Sequence, residues 1–148
     1  LASGRSNKDS LTGGPGNDRL HGGGGANTFD AGAGDDVIVL TSNADKIDGG
    51  AGVDTVRLAH TVQKLDAATL NASSIEVLDL RNWAKSTLSL RPSDVIRLSG
   101  GQRMTVLAET ADKLNLPGVS LKHAQGRTRT YTGSGVTLTV TTDIPGAH

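Results

Sequence analysis

The chain has no cysteine, and aromatic residues make up only 2% of its 148 positions. Without cysteine there is neither a disulfide framework nor a thiolate metal site, so an extracellular lifetime has to be secured by other means, and bound ions can serve. Phe29, Trp83 and Tyr131 are the whole aromatic inventory. Base-stacking surfaces and sugar platforms are built largely from aromatics, so this scarcity argues against a nucleic-acid partner and leaves little for a carbohydrate platform. No apolar run approaches the roughly 20 residues that span a bilayer, so no transmembrane segment is expected. There is no amino-terminal signal peptide, and a start at Leu1 suggests an excised fragment. A nucleophile elbow, an HExxH helix and a P-loop are all missing, and the chain is expected not to be an enzyme. The acid pairs Glu76 with Asp79 and Glu109 with Asp112 read as exposed connections between strands.

What the sequence does have is glycine and a period. A nine-residue frame repeats six times without a gap from Gly4 to Arg57, in copies beginning at Gly4, Gly13, Gly22, Ala31, Leu40 and Gly49. The sixth positions hold Asp9, Asp18, Asn27, Asp36, Asp45 and Asp54, and the eighth hold Leu11, Leu20, Phe29, Ile38, Ile47 and Val56. Glycine at positions one, two and four lets the backbone enter positive-φ regions, so that several carbonyl oxygens face one point. The sixth-position carboxylate adds the negative charge that a hard, oxygen-seeking cation such as Ca2+ needs. In the three residues that follow, strand alternation turns only the eighth position inward.

Two nonapeptides make one turn of a coil, so residues 18 apart stack and the loops sort onto two edges. One edge carries Asp18, Asp36 and Asp54 in register, with the carbonyls of Gly14, Gly16, Gly32, Gly34 and Gly50 nearby; calcium ions bridging Asp18 to Asp36 and Asp36 to Asp54 are expected there. The other edge stacks Asp9, Asn27 and Asp45, and two of its loops lack glycine pairs, so partial occupancy is expected. Ordinary Asx turns are the competing reading of these aspartates, and it stays open at Asp9 and Asp45. Asp30, Asp35 and Asp48 are expected to be solvated.

The frame GGxGxDxUx, with U a large apolar residue, resembles the repeat of RTX proteins, calcium-binding β-roll proteins secreted by Gram-negative bacteria. The stretches IEVLDL, STLSLRPSDVIRLS, MTVLAETADKLNL and YTGSGVTLTVTTD also resemble the carboxyl-terminal region of large RTX adhesins. The resemblance implies an all-β fold, a parallel β-roll over residues 4–57 followed by a β-rich capping domain over residues 58–148. It further implies export by a type I secretion machinery that reads a carboxyl-terminal signal in that second region, and a place outside the cell or on the bacterial surface. A tail of a secreted enzyme or toxin, and a module that itself binds a surface glycan or host ligand, are the alternatives.

Charge supports the division. Residues 1–60 carry five basic and eight acidic side chains, and the remainder ten and seven. An apo roll would hold its acids around unfilled cages over six inward apolar residues, so ion binding is expected to drive folding. In the second half the pattern predicts a short helix within 59–71 with Asp66 as its N-cap, and a helical turn or two over 92–98 stopped by Gly100 and Gly101. Strands are predicted near 75–80, 87–90, 104–107, 113–116, 119–122, 127–132 and 136–141. Alternation in the sixth of these places Arg127, Arg129 and Tyr131 on one face, read as a soluble outer ladder. The four histidines show no zinc spacing.

Overall fold

The computed structural model describes the main chain of residues 2–3 and all of residues 7–82 and 84–143. Gly4, where the first repeat begins, and Trp83 lie outside the described residues. The repeats form β1 (Ala2–Ser3), β2 (Ser10–Pro15), β3 (Arg19–His21), β4 (Thr28–Ala33), β5 (Val37–Leu40), β6 (Lys46–Asp48) and β7 (Thr55–Leu58). Beyond them come β8 (Lys64–Asp66), β9 (Asn71–Ser73), β10 (Val77–Asp79), β11 (Thr87–Ser89) and the helix α1 (Pro92–Ser99). The last elements are β12 (Arg103–Glu109), β13 (Lys113–Asn115), β14 (Ser120–Gln125), β15 (Thr128–Gly133) and β16 (Val136–Asp143).

Each turn of the repeats gives one strand to a nine-stranded sheet, ordered β1-β3-β5-β7-β10-β12-β16-β15-β14, and one to a four-stranded sheet, ordered β2-β4-β6-β9. Pairing within the repeats is parallel throughout, with Val37 opposite Thr55 and Thr28 opposite Lys46. All six eighth-position side chains are buried. Their strands stack them in two columns, Leu11–Phe29–Ile47 and Leu20–Ile38–Val56.

The stack does not stop at Arg57. Val56 pairs with Leu78, Leu78 with Val106 and Val106 with Val140, all in parallel register, so one apolar column runs from Leu20 to Val140. Residue 57 therefore ends the nonapeptide period and not the solenoid. What changes is the step: 18 residues within the repeats, 22 from Asp54 to Glu76, then 28 from Val77 to Thr105 and 34 from Thr105 to Thr139. The added residues build a third parallel sheet, β8-β11-β13, then α1, and finally the antiparallel hairpin of β14 and β15. A single core joins both halves.

The helix predicted within 59–71 does not form. Leu65 stacks beside Leu88 and Ala72 beside Ile47, so the segment supplies one strand to each of two sheets. Ladder pairing of its backbone outweighs a weak helical propensity. Asp66 instead closes a turn by accepting the Ala68 N–H at 3.1 Å. The helix predicted over 92–98 is present, with Val95 and Leu98 buried and Gly100 in the left-handed conformation at its end. The Leu98 carbonyl accepts the Ile75 N–H at 2.8 Å, and Arg97 donates to the Leu70 and Ala67 carbonyls, so α1 covers the end of the four-stranded sheet.

The acids read as exposed connections are structural. Asp79 is 1% exposed and receives Arg57 Nε at 3.0 Å and Arg81 Nε at 2.9 Å, while Arg81 also holds Asp143 at 2.7 Å. Glu109 is buried, and Asp112 accepts the N–H groups of Ser86 at 2.8 Å and Glu109 at 2.7 Å. Burial alone would raise the pKa of Asp79. The bonds from Arg81 and the charge of Arg57 outweigh it, and the carboxyl is held below its ordinary range.

Candidate metal centre

Three turns of the solenoid place Asp18, Asp36 and Asp54 in one ladder. The Asp18 N–H donates to Asp36 Oδ1 at 2.6 Å, and the Asp36 N–H donates to Asp54 Oδ1 at 2.9 Å. Asp36 and Asp54 are fully buried, and Oδ2 of each has no hydrogen-bond partner. Leaving a buried polar atom unsatisfied costs about 1–3 kcal/mol, and more when it is charged, so these oxygens are the part of the fold that calls for a cation. The donor set is all oxygen, which suits a hard ion such as Ca2+. Among the described residues no group of three or more His, Cys, Asp or Glu side chains gathers at one point. A cation here would be held by paired carboxylates completed with backbone carbonyls.

The glycines meet two different needs. Gly14, Gly16, Gly32, Gly34, Gly50 and Gly52, at positions two and four, all have positive φ between 93° and 140°. Gly52 belongs with the predicted set and was missing from it. The carbonyls of Gly14, Gly16, Gly32 and Gly34 each lie against the matching glycine of the next turn. Gly32 also accepts the Ala51 N–H at 2.8 Å, which leaves one lone pair for an ion. Position one, expected at positive φ, is not so among the described residues; Gly13 and Gly49 are needed because a Cβ there would collide first with the Ala31 and Ser74 carbonyl oxygens and then with the Asp18 and Asp54 carboxylates at 3.0 and 2.8 Å. Gly32→Ala is expected to cost about 1–2 kcal/mol from φ alone and more from collision with the Gly14 carbonyl. Gly14→Ala, where a Cβ meets nothing within 4 Å, should cost only the first part. Urea midpoints in calcium would separate the two.

The second edge is built differently. Asp45 Oδ1 accepts the Asn27 N–H at 2.8 Å and Asn27 Nδ2 at 3.3 Å, and Oδ2 accepts the N–H groups of Thr41 and Ser42 at 3.2 and 3.1 Å. The glycine-poor loop folds its own backbone donors onto the carboxylate and does the work of an ion. Asp45 Oδ2 is thus satisfied by backbone N–H groups three and four residues upstream, unlike Oδ2 of Asp36 and Asp54. Asn27 is buried and its Oδ1 accepts the Asp9 N–H at 3.0 Å, so it continues the backbone ladder.

Comparison with known families settles what the frame is. The model of the RTX calcium-binding nonapeptide repeat, in four copies, matches residues 3–38 and 34–58. Residues 3–58 are RTX calcium-binding repeats. Such repeats are modules of secreted proteins. No curated protein and no solved structure matches the chain.

The RTX ladder is electrostatically loaded at Asp54. Burial is the main cause of its raised pKa, which the Asp36 N–H opposes and the charges of Asp36, Glu76 and Asp35 increase, to about 6. A carboxyl raised from 3.8 binds protons more tightly in the folded chain than in the unfolded one, so metal-free stability falls as pH rises through that window. Protons and calcium compete for this group. At pH 5, calcium affinity at the Asp54 loop is expected to be about tenfold weaker than at pH 7.5, as read by calcium titration at the two pH values.

Other predicted residues fall into place around the RTX edge. Asp30, Asp35 and Asp48 are exposed, as expected, although Asp35 Oδ1 also accepts the Val53 N–H at 2.8 Å. In the ladder of Arg127, Arg129 and Tyr131 the two arginines are exposed, as expected, whereas Tyr131 is half-buried. Arg129 and Tyr131 pair with Val140 and Leu138, which are buried, and Tyr131 packs on the core; Arg127 precedes the strand. Sequence reasoning missed Glu76, whose Oε2 accepts the Asp54 N–H at 2.9 Å. It stands outside the nonapeptide frame, and only the spacing of IEVLDL from the last repeat hinted at it.

Proposed function

We propose that this chain is the calcium-triggered folding module of a secreted bacterial protein, a surface adhesin exported by a type I machinery, and that it has no catalytic role of its own. The observation that carries the reading is the pair of buried Oδ2 atoms on Asp36 and Asp54, each unpaired while its partner oxygen is fixed on the backbone. At low cytosolic calcium these carboxylates oppose folding, and the chain stays extended and exportable. Outside the cell, calcium at the roughly 0.1–1 mM affinities of extracellular modules fills the loops and locks the turns together. No helix among the described residues is long and apolar enough to cross a membrane. Calorimetric titration of the 148-residue chain with calcium tests the reading. Heat of binding accompanied by a gain of β-structure in circular dichroism is expected, whereas a chain already folded in chelator that takes up no calcium overturns it.

A further inference from the structure

The gap above the last repeat reproduces the geometry of the gap above the second. A Cβ on Gly13 would meet the carbonyl oxygen of Ala31 and Oδ2 of Asp18, one belonging to the next turn and one to its own loop. A Cβ on Gly49 would meet the carbonyl oxygen of Ser74 and Oδ2 of Asp54 in the same way. Ser74 thus takes the place of the first residue of a further loop although the nonapeptide period has ended. It does so with φ of 56°, a left-handed conformation that a non-glycine residue adopts only when its surroundings hold it there. Two residues on, Glu76 receives the Asp54 N–H at 2.9 Å, as Asp54 receives that of Asp36. Its side chain, one methylene longer than aspartate, keeps the ladder going across a step of 22 residues in place of 18.

We infer that the non-repeat residues Ser74 and Glu76 complete a third calcium site with Asp54, one turn beyond the last RTX loop. Asp54 Oδ2 is fully buried and unpaired, and the Ser74 carbonyl shares its side of Gly49. Only Oε2 of Glu76 is engaged by the backbone, so its second oxygen is available to the ion. Oxygen ligands of this kind, two carboxylates and a carbonyl, suit Ca2+ with water completing the shell. The site would couple the last repeat to the widened turns that follow, since its ligands come from both.

This inference rests on the calcium reading proposed above, and stoichiometry separates the two. Glu76→Gln keeps an oxygen that accepts the Asp54 N–H and removes the charge, so a residue that only capped the backbone would tolerate it. Calcium per folded chain, measured by equilibrium dialysis, is expected to fall by one in Glu76→Gln, with the remaining ions bound as before. In Asp36→Asn the ions between Asp18 and Asp36 and between Asp36 and Asp54 should go, and the one at Glu76 stay. If the unaltered chain takes up no calcium, the RTX reading itself fails; if it binds and Glu76→Gln binds equally many ions, only the third site is overturned. Should Glu76→Gln not fold, terbium luminescence of the Glu76→Asp chain decides: a weakened site supports the inference, and an unchanged signal overturns it.

Discussion

Chelation of calcium is expected to unwind residues 7–58 while amide protection persists through most of 75–143. The repeats have a narrow core, one to three buried apolar side chains per described strand from β2 to β7, and they carry the buried unpaired oxygens of Asp36 and Asp54. Without the ion these carboxylates repel one another at close range, and the chain entropy of the glycine-rich loops is not offset. The second half buries most of the apolar side chains, among them Leu78, Leu80, Leu88, Leu90, Leu98 and Val106, and holds Asp79 on arginines and Asp112 on backbone N–H groups. Hydrogen exchange followed by mass spectrometry, in EDTA and then in calcium, would read the boundary directly. Repeats protected as strongly in EDTA as in calcium would sink the prediction, and so would a second half that unfolds with them.

Asp79→Ala is the substitution expected to destabilise the second half most, by about 3 kcal/mol. Asp79 is 1% exposed, and its two oxygens hold Arg57 on β7 and Arg81 beyond β10, which in turn reaches Asp143 at the end of β16. Removing the carboxylate leaves one guanidinium with no acid and another with only Asp143. Asp143→Ala, at a position one quarter exposed, should cost about 1 kcal/mol or less because solvent screens that pair. For a chain of this size the difference amounts to several degrees in melting temperature, measured in saturating calcium. Since the folded pKa of Asp79 is lowered, its contribution is present above the ordinary carboxylate range and is lost as pH falls through the folded value. Equal effects of the two substitutions would show that the network is no more than surface charge.

The repeats were legible because one frame fixes loop, ligand and core position together: Asp36 and Ile38 could be assigned from spacing alone. Edge chemistry was legible where glycine was present. At Asp45 the loop lacks glycine, and spacing alone does not announce that the Thr41 and Ser42 N–H groups turn onto the carboxylate. Past Arg57 the strands could be read from alternation, since Val136, Leu138 and Val140 declare an inward face in any sheet. Their partners could not. Parallel pairing at steps of 22, 28 and 34 residues leaves no period to detect, and Leu65 and Ala72 carry too little pattern to resist a helical reading. Alternation puts Arg129 and Tyr131 on one face, but it does not say that Tyr131 packs on the core while Arg129 stays exposed.

The 18-residue step within the repeats makes the solenoid's length come in whole turns. Excising residues 19–36 would join Asp18 to Val37 and set it directly beneath Asp54, giving a shorter roll with its ladder unbroken. Excising nine residues, 28–36 for example, would instead bring loops of the two edges into one stack and present Asp54 to Asn27. Evolution or engineering can therefore lengthen or trim this module in double nonapeptides, whereas single ones scramble its two sides.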